Sequence, residues 1–146
     1  MMALADQCNS EYWPLAVLLL SFLAATLLPW SSEASLLGAL ACGAEPLTAL
    51  VAASIGNCGA SLLHYEIGRW TSPMALRHMR SSRGTRWAWL FVRRHRTWAL
   101  PLTVLPIVGD PINIAAGLLR ISRVRFVIVV FALRIGRYAL LTTGFL

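Results

Sequence analysis

A chain of 146 residues bounds the molecule to one domain. Its mean hydropathy of +0.66, with 58% hydrophobic and 13% charged residues, excludes an ordinary soluble fold and indicates an integral membrane protein. The formal charge of +7 would suit nucleic acid, yet eight of the thirteen basic residues, all arginine, fall between Arg69 and Arg96, among apolar segments. Positive-inside topology and anionic head groups explain that block, and no nucleic acid is expected as a partner.

The first residues carry Asp6 and Glu11 and no arginine, so they lack the basic region of a signal peptide and are expected outside, still attached. Tyr12–Leu28 is apolar, with Trp13 suited to an interface. It meets Leu28-Pro29-Trp30-Ser31-Ser32-Glu33, and a second apolar run, Ala34–Ala44, leads away. The stretch 12–44 reads as a helical hairpin, although its first arm is also long enough for a full span. Glu45-Pro46 marks the next helix start. The segment 46–68 reads as a crossing helix whose Gly56, Cys58, Gly59, Ala60 and Ser61 permit close helix contact. It leads into the arginine block, so its exit is cytoplasmic; His64 and Glu66, near that end, read as a surface pair. Residues 70–97 form the cytoplasmic connection. Within it, Thr85–Arg96 places Trp87, Leu90 and Phe91 at helical spacing among arginines, the pattern of an interfacial helix.

Residues 98–120 are the centre of the chain. Two prolines, a glycine and a carboxylate in Leu105-Pro106-Ile107-Val108-Gly109-Asp110-Pro111 forbid an uninterrupted helix. Arg93, Arg94 and Arg96 stand before the stretch, and Arg120, Arg123 and Arg125 follow it, so both ends belong on the cytoplasmic side. A re-entrant hairpin turning at Gly109-Asp110 satisfies this, each arm reaching about 14 Å into a core about 30 Å thick. Asp110 then sits near the midplane, where an ionisable group is a functional candidate by default. The segment 124–145 crosses once more, with Arg134 and Arg137 three apart on one helix face.

The chain reads twice. Leu-Pro-x-x-Ser-Glu at 28–33 parallels Leu-Pro-x-x-Gly-Asp at 105–110, and Ile67-Gly68-Arg69-Trp70 is echoed by Ile135-Gly136-Arg137-Tyr138. The fold class is therefore an all-α integral membrane protein with two opposed re-entrant hairpins plus crossing helices. Such inverted repeats with broken helices mark secondary transporters.

Several of these residues also carry a family resemblance. Pro106-Ile-Val-Gly-Asp-Pro through Gly117-Leu-Leu-Arg120-Ile-Ser122, with Ser32-Glu33, Gly56-Asn57, Gly68-Arg69 and Arg134-x-x-Arg137-Tyr138, resembles the DedA superfamily. This superfamily is also called the VTT-domain or SNARE-associated membrane proteins, and the match is to its small YqaA-like branch. The resemblance spans roughly residues 15–142. It implies two opposed re-entrant hairpins, a bacterial inner-membrane location and lipid translocation. For the wider superfamily it implies recycling of a polyprenyl-phosphate carrier, often with proton coupling, or phospholipid scrambling. The chain departs from larger members in its short length and in a first tip that reads Pro-Trp-Ser-Ser-Glu.

Moving a lipid phosphate through a bilayer needs cationic groups that hold it, and proton coupling needs a group that changes charge. Arg134 and Arg137 suit the first role, since guanidinium pairs with phosphate oxygens through parallel hydrogen bonds. Arg120 is a candidate for a head group at the cytoplasmic face. Asn113 is a candidate ligand-binding side chain, though it and Asn57 equally suit the satisfaction of turn carbonyls. Glu33 and Asp110 suit proton coupling, because burial and a neighbouring arginine act on a carboxylate in opposite directions. A buried acid–arginine network that only fixes packing would read the same way. Pro29, Pro106, Gly109, Pro111 and Gly117 are assigned to turns and close helix approach.

Enzyme chemistry is not expected. Aspartyl chemistry needs a second membrane aspartate, and the other aspartate is Asp6. No zinc-protease motif occurs, and the spacing of Cys8, Cys42 and Cys58 matches no metal site, so no metal or cofactor is expected. The anticipated partners are an anionic membrane lipid and protons. So small a protein encloses little path, which leaves a homodimer or a lipid-facing groove as solutions.

Overall fold

A computed structural model describes residues 12–27, 32–71, 83–105 and 108–145. Pro29 and Pro106, and the acidic N-terminal residues, lie outside these. Every described element is helical: α1 (Trp13–Leu27), α2 (Ser32–Ala41), α3 (Pro46–Trp70), α4 (Arg83–His95), a 3-10 segment (Arg96–Val104), α5 (Gly109–Leu118) and α6 (Arg123–Phe145). The elements form two compact units, Met1–Ala60 with Arg134–Leu146, and Ser61–Leu133.

In the first unit α1 pairs with α2, and α3 lies backbone-to-backbone on α1. A Cβ added at Gly56 would overlap the carbonyl oxygen of Leu18. The expected run of small residues on α3 therefore does what close helix packing requires. Helix α3 starts as the sequence suggests. Pro46 occupies the first helical position, and Glu45 accepts the Thr48 N–H at 3.0 Å and the Thr48 hydroxyl. Those hydrogen bonds, the hydroxyl's first, hold the Glu45 carboxyl below its ordinary range. The core consists of Val17, Leu36, Ala39, Leu40, Ala49, Ala52, Ala53 and Tyr138.

In the second unit α5 packs on the last turns of α3. Cβ atoms at Gly68 and Gly117 would overlap the carbonyl oxygens of Ile114 and Tyr65. Tyr65 is fully buried, stacks on Phe126 with centroids 4.4 Å apart, and donates its hydroxyl to the Ile121 carbonyl at 2.5 Å. Gly117→Ala forces a methyl group into that carbonyl. We expect it to cost about 2 kcal/mol by overpacking, read as a lower thermal midpoint of the purified protein in detergent.

The partition of side chains is that of a membrane protein. On α3, Leu47, Val51, Ile55, Leu63 and Ile67 are exposed while Ser54, Asn57, Ser61 and His64 are buried. On α1, Leu15, Leu19, Leu20 and Leu23 face outward and Ser21 is buried against Ser35, with hydroxyls 2.6 Å apart. In water this arrangement would be inside out; in lipid the outward leucines cost nothing and the polar groups turn to the interior. Among the described helices, Pro46–Trp70 is long and apolar enough to cross a membrane. Helix α6 has the length, 23 residues or about 35 Å, but Arg123, Arg125, Arg134 and Arg137 lower its hydropathy.

Three expectations need correction. The first arm of the second hairpin is a 3-10 segment, not an α-helix, because Pro101 within it can neither donate nor accommodate the preceding carbonyl. Gly109 is not at the bend but begins α5, where a Cβ would overlap the Thr103 carbonyl oxygen, and Pro111 sits in the same first turn. Helix α4, by contrast, leaves Trp87 and Leu90 exposed, which is compatible with an interfacial helix, and buries Ala88 and Val92. Finally, the Ile-Gly-Arg echo is not a structural correspondence: Gly68 meets the Ile114 backbone, whereas a Cβ at Gly136 would enter open space.

A different register relates the two halves. Helices α2 and α5 have 10 residues each and begin 77 residues apart, as do α3 and α6. Each short helix carries its acid second, Glu33 and Asp110. Each ends in the same hydrogen-bonded turn, with Ala44 N–H on Ala39 O and Gly43 N–H on Leu40 O, matched by Ile121 N–H on Ala116 O and Arg120 N–H on Gly117 O.

Candidate functional site

The first unit gathers polar side chains on the inner faces of α2, α3 and α6. Arg134 is buried and donates to the Asn57 carbonyl oxygen; Asn57 in turn donates to the Tyr138 hydroxyl. Arg134 and Tyr138, four apart, share a helix face, so both reach the same asparagine. One turn along, Arg137 holds the Glu33 carboxylate at 3.2 Å and lies 5.6 Å from the centre of the Tyr138 ring. Glu33 stands in the first turn of α2, where the partial positive charge of a helix start also favours an anion. Its side chain is 40% exposed and that of Arg137 22%, so the ion pair stays open at its acidic side.

Three of the expected residues, Glu33, Arg134 and Arg137, thus meet in one cluster. Asn57 and Tyr138 complete it. The signal for Asn57 was a lone amide in the middle of an apolar helix, where an unsatisfied polar group is costly. By the 77-residue register Asn57 and Arg134 occupy equivalent positions of the two long helices, and they hydrogen-bond each other.

The second unit holds a different pair. Asp110, in the first turn of α5, lies 3.4 Å from Nδ1 of His64 on α3. The sequence reading of His64 and Glu66 as a surface pair is overturned. His64 is buried, and Glu66 instead pairs with Arg123 at 2.8 Å and accepts from the Trp70 indole at 3.2 Å. The two residues sit two apart, so they face different sides of the helix. Asn113, one turn beyond Asp110, is fully buried, and neither side-chain polar atom has a hydrogen-bond partner among the described residues. Arg120 is exposed at the end of α5 in this second unit. Of the cysteines, Cys58 is buried as expected, while Cys42 is exposed just beyond α2.

Chemically, the first cluster is a partly open carboxylate–guanidinium pair backed by a second, fully buried guanidinium. It can exchange one oxyanion for another. The second is a histidine–carboxylate pair beside an unsatisfied amide, groups able to hold or pass a proton. Among the described residues no three histidine, cysteine or acidic side chains converge to hold a metal ion.

No family model matches the chain, and no solved structure matches it. Curated relatives do. The chain is 34% identical over 103 residues to inner membrane protein YqaA of Escherichia coli and to its counterpart in Shigella flexneri, covering 70% of this chain and 69% of each relative. It is 35% identical over 130 residues to an uncharacterized protein of Haemophilus influenzae, covering 83% of this chain and 80% of the relative.

Proposed function

Because the chain belongs to the YqaA-like branch of the DedA superfamily and is an inner membrane protein, we propose that it carries an anionic lipid across the bilayer without altering it chemically. The observation that carries this reading is the Glu33–Arg137 pair, 3.2 Å apart and open on its carboxylate side, with Val124, Ile128, Ile135 and Leu140 on the outer face of α6.

The exchange works as follows. A lipid phosphate offers Arg137 the oxyanion that Glu33 now supplies, and bidentate pairing favours the phosphate. A carboxylate left without its cation in a medium of low dielectric favours the protonated form. Phosphate entry and proton uptake are thereby linked, and release of the phosphate returns Glu33 to Arg137. Arg134 does not move; held by Asn57, it keeps the surrounding potential positive. The two helical hairpins, related by the 77-residue register, insert from opposite faces in this reading. The lipid is a polyprenyl phosphate or a phospholipid, and its tails stay in the bilayer while the head group crosses.

The test is reconstitution in liposomes with a fluorescent polyprenyl phosphate or phosphatidate, and quenching of outer-leaflet label. Wild type is expected to accelerate exchange over protein-free liposomes, and an imposed pH gradient to change the rate. Arg137→Gln is expected to slow it about tenfold, the loss of one charge-assisted contact. Equal rates with and without protein would end the proposal.

A further inference from the structure

We propose that the cavity where the end of α4, the 3-10 segment, the end of α5 and the start of α6 meet is a binding site for a phosphate-bearing anion. The cavity has a volume of about 170 Å³ and is lined by Arg93, Arg96, Arg120 and Arg125, with the hydroxyl-bearing Thr97 and Ser122 beside them. That is several times the ~30 Å³ occupied by one water in the liquid, space for a single phosphate group. Four exposed guanidinium groups around such a volume, with no carboxylate among the lining residues, make a locally positive mouth that favours an anion.

Two arrangements argue that the arginines are there for a ligand. Arg123 lies between Arg120 and Arg125 in sequence and is already neutralised by Glu66 at 2.8 Å. Arg96, Arg120 and Arg125 make no ion pair among the described residues. The nearby acid Glu66 serves Arg123, which does not line the cavity.

The backbone is the second. Arg96 and Arg120 have φ of 49° and 50°, the left-handed region that L side chains avoid, and among the described residues no other non-glycine position does so. Both line this cavity. The comparison with Gly43 is direct. Gly43, with φ of 81°, closes α2 through the same pair of hydrogen bonds with which Arg120 closes α5. Where the turn alone matters the chain has glycine; where the turn borders the cavity it has arginine. A strained residue kept against its backbone preference points to a task for its side chain. The Tyr65 hydroxyl, bound to the Ile121 carbonyl, fixes the turn that carries Arg120.

Phosphate is the anion this geometry suits, since several guanidinium forks can share its oxygens. A lipid head group and a free phosphate ester offer the same chemistry. Arg96→Gly and Arg120→Gly remove the cation and relieve the backbone at once, so both variants are expected to fold with a midpoint no lower than wild type. Full-length protein would be titrated in non-ionic detergent with inorganic phosphate, and in nanodiscs of phosphatidylcholine with and without phosphatidate. Each glycine variant is expected to weaken binding about tenfold, while Arg86→Gln, an exposed arginine outside the cavity, leaves it unchanged. Binding of inorganic phosphate with these losses assigns a soluble ligand; binding confined to phosphatidate discs with the same losses assigns a lipid head group. Either supports the site. No binding of either probe, or an equal loss in Arg86→Gln, overturns it.

Discussion

Asn57→Leu is expected to destabilise the protein by about 3 kcal/mol, a fall of roughly 10 °C in the thermal midpoint for a chain of this size. The leucine fits the volume, so little of this loss comes from packing. It comes from Arg134, buried on α6, which loses the carbonyl oxygen that accepts from it, and from the Tyr138 hydroxyl, which loses the amide that donates to it. A buried guanidinium deprived of an acceptor costs far more than the hydrogen bond contributed. The triple variant Asn57→Leu, Arg134→Met, Tyr138→Phe removes both hydrogen bonds of the Asn57 side chain together with the groups that shared them. It is expected to recover part of the stability, because the buried guanidinium goes with its acceptor. Lipid exchange in liposomes is expected to stay lost. That combination separates a network kept for packing from one kept for function: a stable triple variant with wild-type exchange would reduce Arg134 to a packing residue.

The helices were legible in the sequence for the reasons that make membrane proteins readable. Apolar length, proline, and flanking arginine each act locally, so Glu45-Pro46 could be named as a helix start from the letters alone. The meeting of Glu33 with Arg134 and Arg137 was legible too, because an acid and a guanidinium in apolar segments must find each other. What failed was register. The Ile-Gly-Arg echo rested on matching letters, whereas the 77-residue relation lies in element starts and turn hydrogen bonds, where Gly43 and Arg120 share no chemistry at all. His64 was misread because its helix was placed by topology and not by rotation. Two residues away, Glu66 faces another direction, and only the packing of α5 through Gly68 and Gly117 decides which of them meets Asp110.

This packing gives the second unit a pair that can relay a proton in addition to the one Glu33 takes up. Asp110 stands in the first turn of α5 with His64 at 3.4 Å and the unsatisfied Asn113 one turn on. Histidine and carboxylate side chains are the usual carriers of a proton in a protein, and here one of each stand side by side. Asp110→Asn keeps the shape and removes the charge. No hydrogen bond between Asp110 and the imidazole is lost, so the variant is expected to unfold within a few degrees of wild type. Its exchange rate, in contrast, is expected to lose the response to an imposed pH gradient by about tenfold or more, while exchange without a gradient persists. His64→Gln is expected to behave alike, since either half of the pair alone cannot pass the proton on. Glu66→Gln, which breaks only the link to Arg123, is expected to keep the gradient response. Should Asp110→Asn respond to the gradient as wild type does, the Asp110–His64 pair has no part in the coupling, and Glu33, released when Arg137 takes the phosphate, carries the proton without it.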